Sequence, residues 1–451
     1  MCAGRWLAVA VFLACVPRSA HPQSVAGFAP ERSHPVKERS LPGGYPNKPS
    51  VPPSFTIPVE PLGFSPPGPL YLGQRNSVAS LDFIDENRLL FTFRVPGLIH
   101  RELKAGESGE DERRIRAVVL TVSTGAVEAE GVWTVHDRTR YLWMLKDGHF
   151  LFRDQENLQQ GDAQLQMKPF LQFPGRLLWV DLDPSERFMV SDSREPVATV
   201  SKPGEVGSPA TASATTTEDS EPASSHPGGD AGSDSGPEPP PDVVLRILHR
   251  ASGQVMLVSR VRSLVHLPIN SEGYLESLRG RGLQWTLNLN LFTGGSRVLG
   301  SVDSTCLPNN MFLSEREVLV TACSSSGGHA LVAMTTGGKT LWADVNPDTA
   351  IWPLLARSPD GLRVVQETLA VDRPISAFAP LSTDDIKGQL LRVFDAATGE
   401  VAFESPLSPI LDAGGNAAIS PSGRRIAVLN DGAIQVFELP PPPPLPDAGA
   451  K

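Results

Sequence analysis

Two stretches near the C-terminal end decide the fold: "SPDGLRVV", residues 358–365, and "SPSGRRIAVL", residues 420–429. In each, a short turn of Ser, Pro, Asp or Gly leads into a run of mainly apolar residues. Such turn residues tolerate tight-turn dihedrals or hydrogen-bond their own backbone, and the flanking runs are typical of β-strands. Each stretch therefore predicts a β-hairpin.

The same hairpin pattern recurs along the chain about seven times in all. A second hairpin, whose turn ends in Gly, follows most of these, as in "VVLTVSTGAVEAEGVW" (118–133) and "LRVFDAATGEVAFES" (391–405). Two hairpins give a unit of four antiparallel strands, and about seven such units predict an all-β protein, a β-propeller. The remaining first hairpins begin at Leu81, Trp143, Trp179, Pro268 and Met311.

The turns of 358–365 and 420–429, each with a downstream "TG" or "DG" turn, resemble WD40-like or YVTN-type propeller repeats of bacteria. The resemblance covers roughly residues 76–439. The whole chain also resembles a group of uncharacterised exported bacterial proteins. This resemblance implies a ring with binding surfaces on its two faces and in its central channel, and it adds no activity.

The last unit offers only about three strands, so the ring needs a strand from elsewhere. We predict that a segment within Ser54–Asn76 supplies the fourth strand and closes the ring. The propeller is assigned to residues 69–439, with six or eight blades as alternatives to seven.

Three segments have compositions that cannot bury enough apolar surface to fold alone. We expect residues 27–68 to be a flexible lead-in and residues 440–451 a stiff Pro-rich tail. Residues 197–241 are of low complexity and are expected to form an insertion between the second and third strands of the third unit. The alternative is that this segment separates two domains.

The N-terminal sequence has the pattern of an export signal. The apolar run "WLAVAVFLACV" (6–16) has the length of a signal peptide, and cleavage after Ala26 would leave Gly27 first. Export to the periplasm or the extracellular space is therefore expected, and no later segment is apolar enough to span a membrane. The alternatives are a lipid anchor on Cys15 and an apolar N-terminal segment that has no targeting role.

Only Cys306 and Cys323 remain in the predicted mature chain. An oxidising compartment favours a disulfide between them, and two separate buried thiols are the alternative. The formal net charge of -10 argues against nucleic-acid binding.

Motifs for chemistry are few. The sequence contains no GxSxG, HExxH or phosphate-binding Gly loop, and neither a metal nor a cofactor is predicted. The acid pairs Asp181/Asp183 and Asp384/Asp385 are interpreted as turn and helix-cap residues. "VFDAATGEVAF" (393–403) resembles a quinoprotein repeat, in which the aromatic position, here Phe403, packs between blades; Trp342 ends a similar half-repeat.

The composition and the resemblance favour an exported, non-catalytic, monomeric propeller that binds a protein, an envelope polymer or a small ligand, or acts as a scaffold. A propeller enzyme (hydrolase, lyase or quinoprotein dehydrogenase) and a lipid-anchored component of envelope assembly are the alternatives. Two connections are longer than a hairpin requires, and such loops are candidates for function. They supply the candidate binding residues His100, Arg101, Arg373, Asp384 and Asp385.

The stretch "WTVHDRTRYLWMLKDGHF" (133–150) gathers charged and aromatic residues where one unit passes to the next. Its aromatic residues fall on predicted strands and its charged residues on the connection. We therefore interpret His136, Asp137 and Arg140 as a structural clasp between blades rather than a catalytic group.

Overall fold

The computed structural model describes residues 48–66, 70–71, 78–95, 113–136, 140–195, 242–325, 327–374 and 382–442. They belong to one compact unit, Val36–Lys451, which is a ring of seven four-stranded antiparallel blades. The predicted fold class is confirmed. Helical structure among these residues comprises two short 3-10 turns, Glu60–Leu62 and Thr383–Asp385.

The strands are numbered in chain order, and two of them precede the first blade: β1 (Phe55–Pro58) and β2 (Leu70–Tyr71). The first three blades follow. Blade 1 contains β3 (Ala79–Phe83), β4 (Arg88–Arg94), β5 (Arg113–Thr121) and β6 (Val127–Val135). Blade 2 contains β7 (Leu142–Met144), β8 (Phe150–Asp154), β9 (Asn157–Gly161) and β10 (Met167–Gln172). Blade 3 contains β11 (Arg176–Leu182), β12 (Phe188–Arg194), β13 (Val243–His249) and β14 (Gln254–Val261).

Blades 4 to 7 complete the ring. Blade 4 contains β15 (Gly273–Arg279), β16 (Gln284–Leu291) and β17 (Ser296–Asp303), and its first strand is reduced to a bridge between Ile269 and Tyr274. Blade 5 contains β18 (Asn309–Ser314), β19 (Glu317–Cys323), β20 (His329–Thr335) and β21 (Thr340–Asn346). Blade 6 contains β22 (Ala350–Arg357), β23 (Arg363–Val371), β24 (Ile386–Asp395) and β25 (Val401–Leu407). After β26 (Ile410–Leu411), blade 7 contains β27 (Ala417–Ile419), β28 (Arg425–Asn430) and β29 (Ala433–Glu438).

The turns between first and second strands are fixed by their own short polar side chains. The Ser358 hydroxyl accepts the backbone N–H of Arg363 at 3.0 Å, and the Ser420 hydroxyl accepts that of Arg425 at 3.1 Å. Gly361 adopts a φ of 79° in the first of these turns, a conformation that costs glycine little. The residue types that predicted the hairpins therefore make the hydrogen bonds that form them.

Aromatic side chains fill the seams between neighbouring blades. Trp342 of blade 5 stacks on Phe394 of blade 6 with ring centroids 6.1 Å apart, and its Nε1 donates to the Ala396 carbonyl at 2.6 Å. Phe403 of blade 6 packs on Phe437 of blade 7 at 4.8 Å. Both aromatic positions of the quinoprotein-like repeats thus pack between blades.

The N-terminal strand β1 closes the ring. It pairs antiparallel with β29, with Ile57 opposite Ile434, and becomes the outermost strand of blade 7. Ile57 is buried in the seam between blades 7 and 1. The closing strand comes from the predicted segment, and it lies within the range 27–68 that the sequence assigned to the lead-in.

The three long connections all join the second and third strands of a blade. They span residues 96–112, 196–241 and 375–381, which lie outside the described residues. In blade 3, β12 and β13 pair in continuous register, and the Glu195 N–H donates to the Asp242 carbonyl at 2.8 Å. The low-complexity insertion therefore interrupts a blade, where the sequence placed it, and does not separate two domains.

A disulfide joins Cys306, in the segment before β18, to Cys323 at the end of β19, with a Cα–Cα distance of 5.5 Å. It links the start of blade 5 to that blade's second strand. This is the pair that the sequence indicated.

The proposed signal peptide and Cys15 lie outside the described residues, as do His100, Arg101, Asp137 and most of the Pro-rich tail. Within the part of the chain that the structure describes, no helix has the length and apolar character needed to cross a membrane.

We predict that Ile57→Ala lowers the free energy of unfolding by about 2–4 kcal/mol, because it leaves a cavity in the seam that closes the ring. Val132→Ala on β6 is the control, since Val132 is 62% exposed and its truncation should cost about 0.5 kcal/mol or less. Denaturant unfolding measures both. Equal losses would show that β1 does not stabilise the ring.

We also predict that Gly399→Ala is more destabilising than Gly432→Ala. Both glycines have positive φ, 69° and 75°, so both substitutions carry a backbone cost of about 1–2 kcal/mol. A Cβ on Gly399 would lie 2.6 Å from the Trp342 ring, whereas a Cβ on Gly432 meets nothing within 4 Å. Overpacking at the seam between blades 5 and 6 should add about 1–3 kcal/mol to the destabilisation caused by Gly399→Ala. Denaturant unfolding should therefore show a lower midpoint for Gly399→Ala than for Gly432→Ala.

Candidate functional site

Five charged or titratable residues lie on, or just before, the first strands of five blades. These are Asp82 in β3, Arg140 before β7, Asp181 in β11, His266 before β15 and Arg357 in β22. In most blades the fourth strand is the most exposed of the four and lies on the outside of the ring. The first strands therefore surround the central channel. We call these five residues the channel cluster.

Electrostatic interactions link the members of the channel cluster across the ring. The Asp181 carboxylate interacts with the charges of Arg357, Arg140 and His266, and the Asp82 carboxylate interacts with Arg140. Residues of blades 1, 2, 3, 4 and 6 therefore face one another.

The channel is open to solvent, yet some of its titratable groups are partly desolvated. The side chains of Arg140, Asp181 and His266 are exposed, yet desolvation raises the pKa of Asp181 and lowers that of His266. Arg357, Arg140 and His266 lower the pKa of Asp181, but they do not fully offset the desolvation. A narrow channel combines these two conditions, because each group touches solvent while protein surrounds it on most sides.

Acidic side chains surround one mouth of the channel. Arg357 immediately precedes the first turn of blade 6, and its guanidinium interacts with Asp183 and Glu186 from the turn of blade 3 and Glu315 from the turn of blade 5. Burial raises the pKa values of Asp183 and Glu186. We call this end of the channel the turn-side mouth.

Hydrogen bonds between neighbouring turns hold the turn-side mouth in place. The backbone N–H of Lys146 donates to Glu186 at 2.9 Å, and the backbone N–H of Ser271 donates to Glu315 at 2.8 Å. The carboxylates that face Arg357 thus also join adjacent blades, which preorganises them.

Two tryptophans and a histidine form an aromatic wall in which Trp143 is buried between blades 2 and 3, Trp179 is half-buried and His266 is exposed. The Trp179 ring lies 4.6 Å from the His266 ring and 6.3 Å from the Trp143 ring, both edge to face. Arg140 covers Trp143, with its guanidinium carbon 5.5 Å from the ring centroid. The indole Nε1–H groups of Trp143 and Trp179 have no hydrogen-bond acceptor among the described residues.

A buried carboxyl lies beside this wall. Asp192 on β12 is directly opposite Trp179 on β11 and is fully buried. One of its oxygens, Oδ2, accepts the backbone N–H of Val265 at 3.2 Å, while Oδ1 has no donor among the described residues. Desolvation raises the pKa of Asp192 to about 6.

The candidate binding residues from the sequence lie on the other face of the ring. Arg373 and Asp385 flank the connection between the second and third strands of blade 6. They form a bidentate ion pair, in which Nε and Nη2 of Arg373 donate to the two carboxylate oxygens at 2.9 and 3.0 Å. This hydrogen bond is the main reason that the pKa of Asp385 is lowered. Ser382 caps the predicted helical turn, and Asp384 is exposed there. These residues are not brought to the channel.

Of the residues interpreted as a clasp, His136 and Arg140 make different contacts. His136 Nδ1 lies 2.8 Å from Asp154 of blade 2, and the His136 carbonyl accepts from Arg176 of blade 3 at 2.9 Å, so His136 contacts two further blades. Arg140 instead extends along the channel, donating to the Leu142 carbonyl at 2.8 Å. The clasp stays a prediction for His136, and Arg140 belongs to the channel cluster.

Sequence reasoning missed Asp82, Asp181 and Arg357 as channel residues. All three lie one to three residues before the first turn of a unit, on a strand that is otherwise mainly apolar. A charge at that recurring position was the available signal. Among the described residues, no group of three or more His, Cys, Asp or Glu side chains could hold a metal ion.

Comparison with known proteins finds similar structures but no matching family or curated sequence. No family model matches the chain, and no curated protein matches its sequence. The chain is similar in structure to an acylaminoacyl peptidase from Pyrococcus horikoshii (TM-score 0.44, 11% identity), covering 78% of this chain and 49% of the peptidase, about half its length.

Two further similar structures match nearly over their whole length. The β-propeller domain of the Trilobed protease from Pyrococcus furiosus has a TM-score of 0.42 at 9% identity, covering 83% of this chain and 99% of that domain. An uncharacterized protein from Listeria monocytogenes has a TM-score of 0.44 at 7% identity, covering 82% and 96%.

A second buried carboxyl lies at the seam between blades 6 and 7. Glu367 accepts a hydrogen bond from Gln389 Nε2 at 3.1 Å, and Gln389 also bonds the Leu411 backbone and Asn416. Desolvation raises the pKa of Glu367 to about 8. The carboxyl is therefore protonated at neutral pH and belongs to a structural network.

We predict that Glu367→Gln removes a pH-dependent loss of stability. The folded-state pKa of about 8 lies above the ordinary value of 4.5, so the unfolded chain ionises first and stability falls as pH rises between these values. The variant should equal the wild type in free energy of unfolding at pH 4 and exceed it by on the order of 5 kcal/mol at pH 9. Denaturant unfolding at both pH values measures the difference, and a constant difference would contradict the assignment.

Proposed function

We propose that the chain is an exported, non-catalytic propeller of the WD40-like or YVTN type that binds a partner protein, an envelope polymer or a small ligand at the turn-side mouth of its channel. The observation that carries this proposal is the convergence of Asp82, Arg140, Asp181, His266 and Arg357 from five blades. A surface that served packing alone would not need charges at these positions.

The electrostatics of the channel favour binding. Desolvation raises the pKa of Asp181 and lowers that of Arg357, so we expect a ligand that hydrogen-bonds these charged groups to offset part of the desolvation cost. A ligand that enters the channel meets donors and acceptors that are already oriented by the blades. Preorganisation of this kind lowers the entropic cost of binding.

The disulfide supports the exported location. Disulfides persist in oxidising compartments such as the periplasm and the extracellular space, and they are rare in reducing ones. The pairing of Cys306 with Cys323 therefore agrees with the proposed signal peptide.

We predict that a double variant, Asp181→Asn with Arg357→Gln, loses the ability to capture its partner from envelope extract. Asp181→Asn keeps the size of the side chain and Arg357→Gln shortens it without adding bulk, and together they remove charges that meet in the channel, so the ring should still fold. Immobilised wild-type and variant proteins are compared by quantitative mass spectrometry of what they retain. At least a tenfold reduction of a specifically retained component is expected, which corresponds to about 1.4 kcal/mol.

The matched control is Asp303→Asn with Lys168→Gln, on the exposed outer strands β17 and β10. It likewise removes one negative and one positive charge, without touching the channel. Retention that survives in the channel variant, or falls equally in the control, contradicts the proposed site.

A further inference from the structure

Every exposed leucine among the described residues lies in blade 4 or in the connections beside it. These are Leu264, Leu278, Leu283 and Leu307, whose exposed fractions are 40, 49, 44 and 65%. Leu264 lies in the connection from β14 to blade 4, and Leu307 lies in the connection from β17 to blade 5. Leu278, near the end of β15, and Leu283, just before β16, flank a hairpin tip. One exposed leucine is ordinary, but four in one region indicate an interaction surface.

The four leucines lie on the same face of the ring. Successive strands of a blade run antiparallel, and the turns between first and second strands lie at the turn-side mouth. The turns between second and third strands, and the connections between blades, therefore lie on the opposite face. The β15–β16 tip and the two leucine-bearing connections are all of this second kind.

A hydrogen bond and the disulfide fix the loops that carry two of these leucines. The Ser304 N–H donates to the Leu283 carbonyl at 2.8 Å, which joins the hairpin tip to the connection that contains Leu307. The disulfide between Cys306 and Cys323 holds that connection against blade 5. Leu283 and Leu307 are therefore exposed on a rigid frame.

Arginines accompany the leucines, although the chain as a whole has a formal net charge of -10. Arg279 and Arg281 are both exposed at the β15–β16 tip. The guanidinium carbon of Arg279 lies 5.7 Å from the centroid of the Trp285 ring, which positions this charge. Asp303, at the end of β17, is a nearby acid, so the tip keeps a surplus of positive charge. The charge of this surface complements an anionic partner.

We call this surface the blade 4 rim. It consists of Leu264, Leu278, Leu283, Leu307, Arg279 and Arg281.

The form of the blade 4 rim selects among partners. A second copy of the chain would meet the same surface across a two-fold axis, and the arginines of the two copies would repel each other. The anchor residues of a protein partner need pockets, whereas the rim is made of a hairpin tip and two connections. A Cβ on Gly282, at the tip, would meet nothing within 4 Å. A bilayer surface is planar, and it offers phosphates to arginine and an apolar layer to leucine.

We propose that the blade 4 rim binds the surface of an anionic phospholipid bilayer. The leucine side chains enter the boundary between headgroups and acyl chains, and Arg279 and Arg281 bind lipid phosphates. The turn-side mouth then faces away from the bilayer. This inference goes beyond the proposed function and does not depend on it, because it uses neither the channel nor its ligand.

Co-sedimentation of the full chain with lipid vesicles tests the proposal. The probe is a vesicle of phosphatidylcholine and phosphatidylglycerol in equal parts, compared with a vesicle of phosphatidylcholine alone. The wild type should bind the anionic vesicles more tightly, and added salt should weaken this binding because it screens the attraction. The N-terminal apolar run 6–16 is shared by every protein compared, so differences between variants report on the rim.

The first variant removes the positive charges of the rim. Arg279→Gln with Arg281→Gln should weaken binding to the anionic vesicles about tenfold and leave binding to phosphatidylcholine unchanged. The matched control is Arg316→Gln with Arg424→Gln, which removes two exposed arginines from turns on the opposite face. This control should bind like the wild type.

The second variant removes apolar surface. Leu283→Ser with Leu307→Ser should also weaken binding about tenfold, because less apolar area enters the bilayer. The control is Val127→Ser with Val132→Ser on β6 of blade 1, where the valines are 47 and 62% exposed. Should the double leucine variant fail to fold, Leu307→Ser alone gives the same test at the most exposed position.

Three results overturn the inference. If the rim variants bind anionic vesicles as tightly as the wild type, the contact lies elsewhere in the chain. If the two arginine pairs weaken binding equally, net charge alone is responsible. If no vesicle binds, the rim is not a membrane surface, and binding of polyglutamate that depends on Arg279 and Arg281 would then identify an acidic protein as its partner.

The variant Asp181→Asn with Arg357→Gln separates this proposal from the proposed function. It should bind anionic vesicles like the wild type while it loses partner capture. Failure of the vesicle test with intact partner capture therefore removes the membrane surface alone.

Discussion

The backbone hydrogen bonds between Phe55–Pro58 and Ala433–Glu438 join the two ends of the ring. A ring of blades closes without an open end only if the last blade has all four of its strands and packs against the first blade. Ile57 shows how this is achieved, because the same strand that supplies the backbone pairing also buries a side chain against blade 1. The channel exists as a defined site only because the ring is closed in this way.

The fold could be predicted from the sequence because its decisive signals are local. Ser358 and Ser420 form hydrogen bonds within their own turns, so the residue types that mark a hairpin also form it. The need of blade 7 for a fourth strand from elsewhere in the chain followed from counting the strands in its own segment. The position of Trp342 between blades likewise followed from its place in a repeat.

The channel cluster could not be predicted in the same way, because it depends on the ring rather than on any segment. Asp82 and Arg357 belong to the first and sixth blades, and only closure brings both to the channel. Arg140 shows the opposite difficulty. Its nearness to His136 in sequence suggested one shared role, whereas the structure directs Arg140 along the channel and His136 towards Asp154. Loop length pointed to Arg373 and Asp385, which form an ion pair at the two ends of that connection, and their binding role stays a prediction.

The hydrogen bond between Glu195 and Asp242 has a consequence for protein engineering. The two ends of the longest connection are held together by the paired strands β12 and β13, so the blade does not depend on what lies between them. The entropic cost of a longer connection grows slowly, by about 0.6 kcal/mol for each doubling. This junction is therefore a natural attachment point for a folded reporter domain. Because it lies on the face opposite the turn-side mouth, such a graft would leave the channel open.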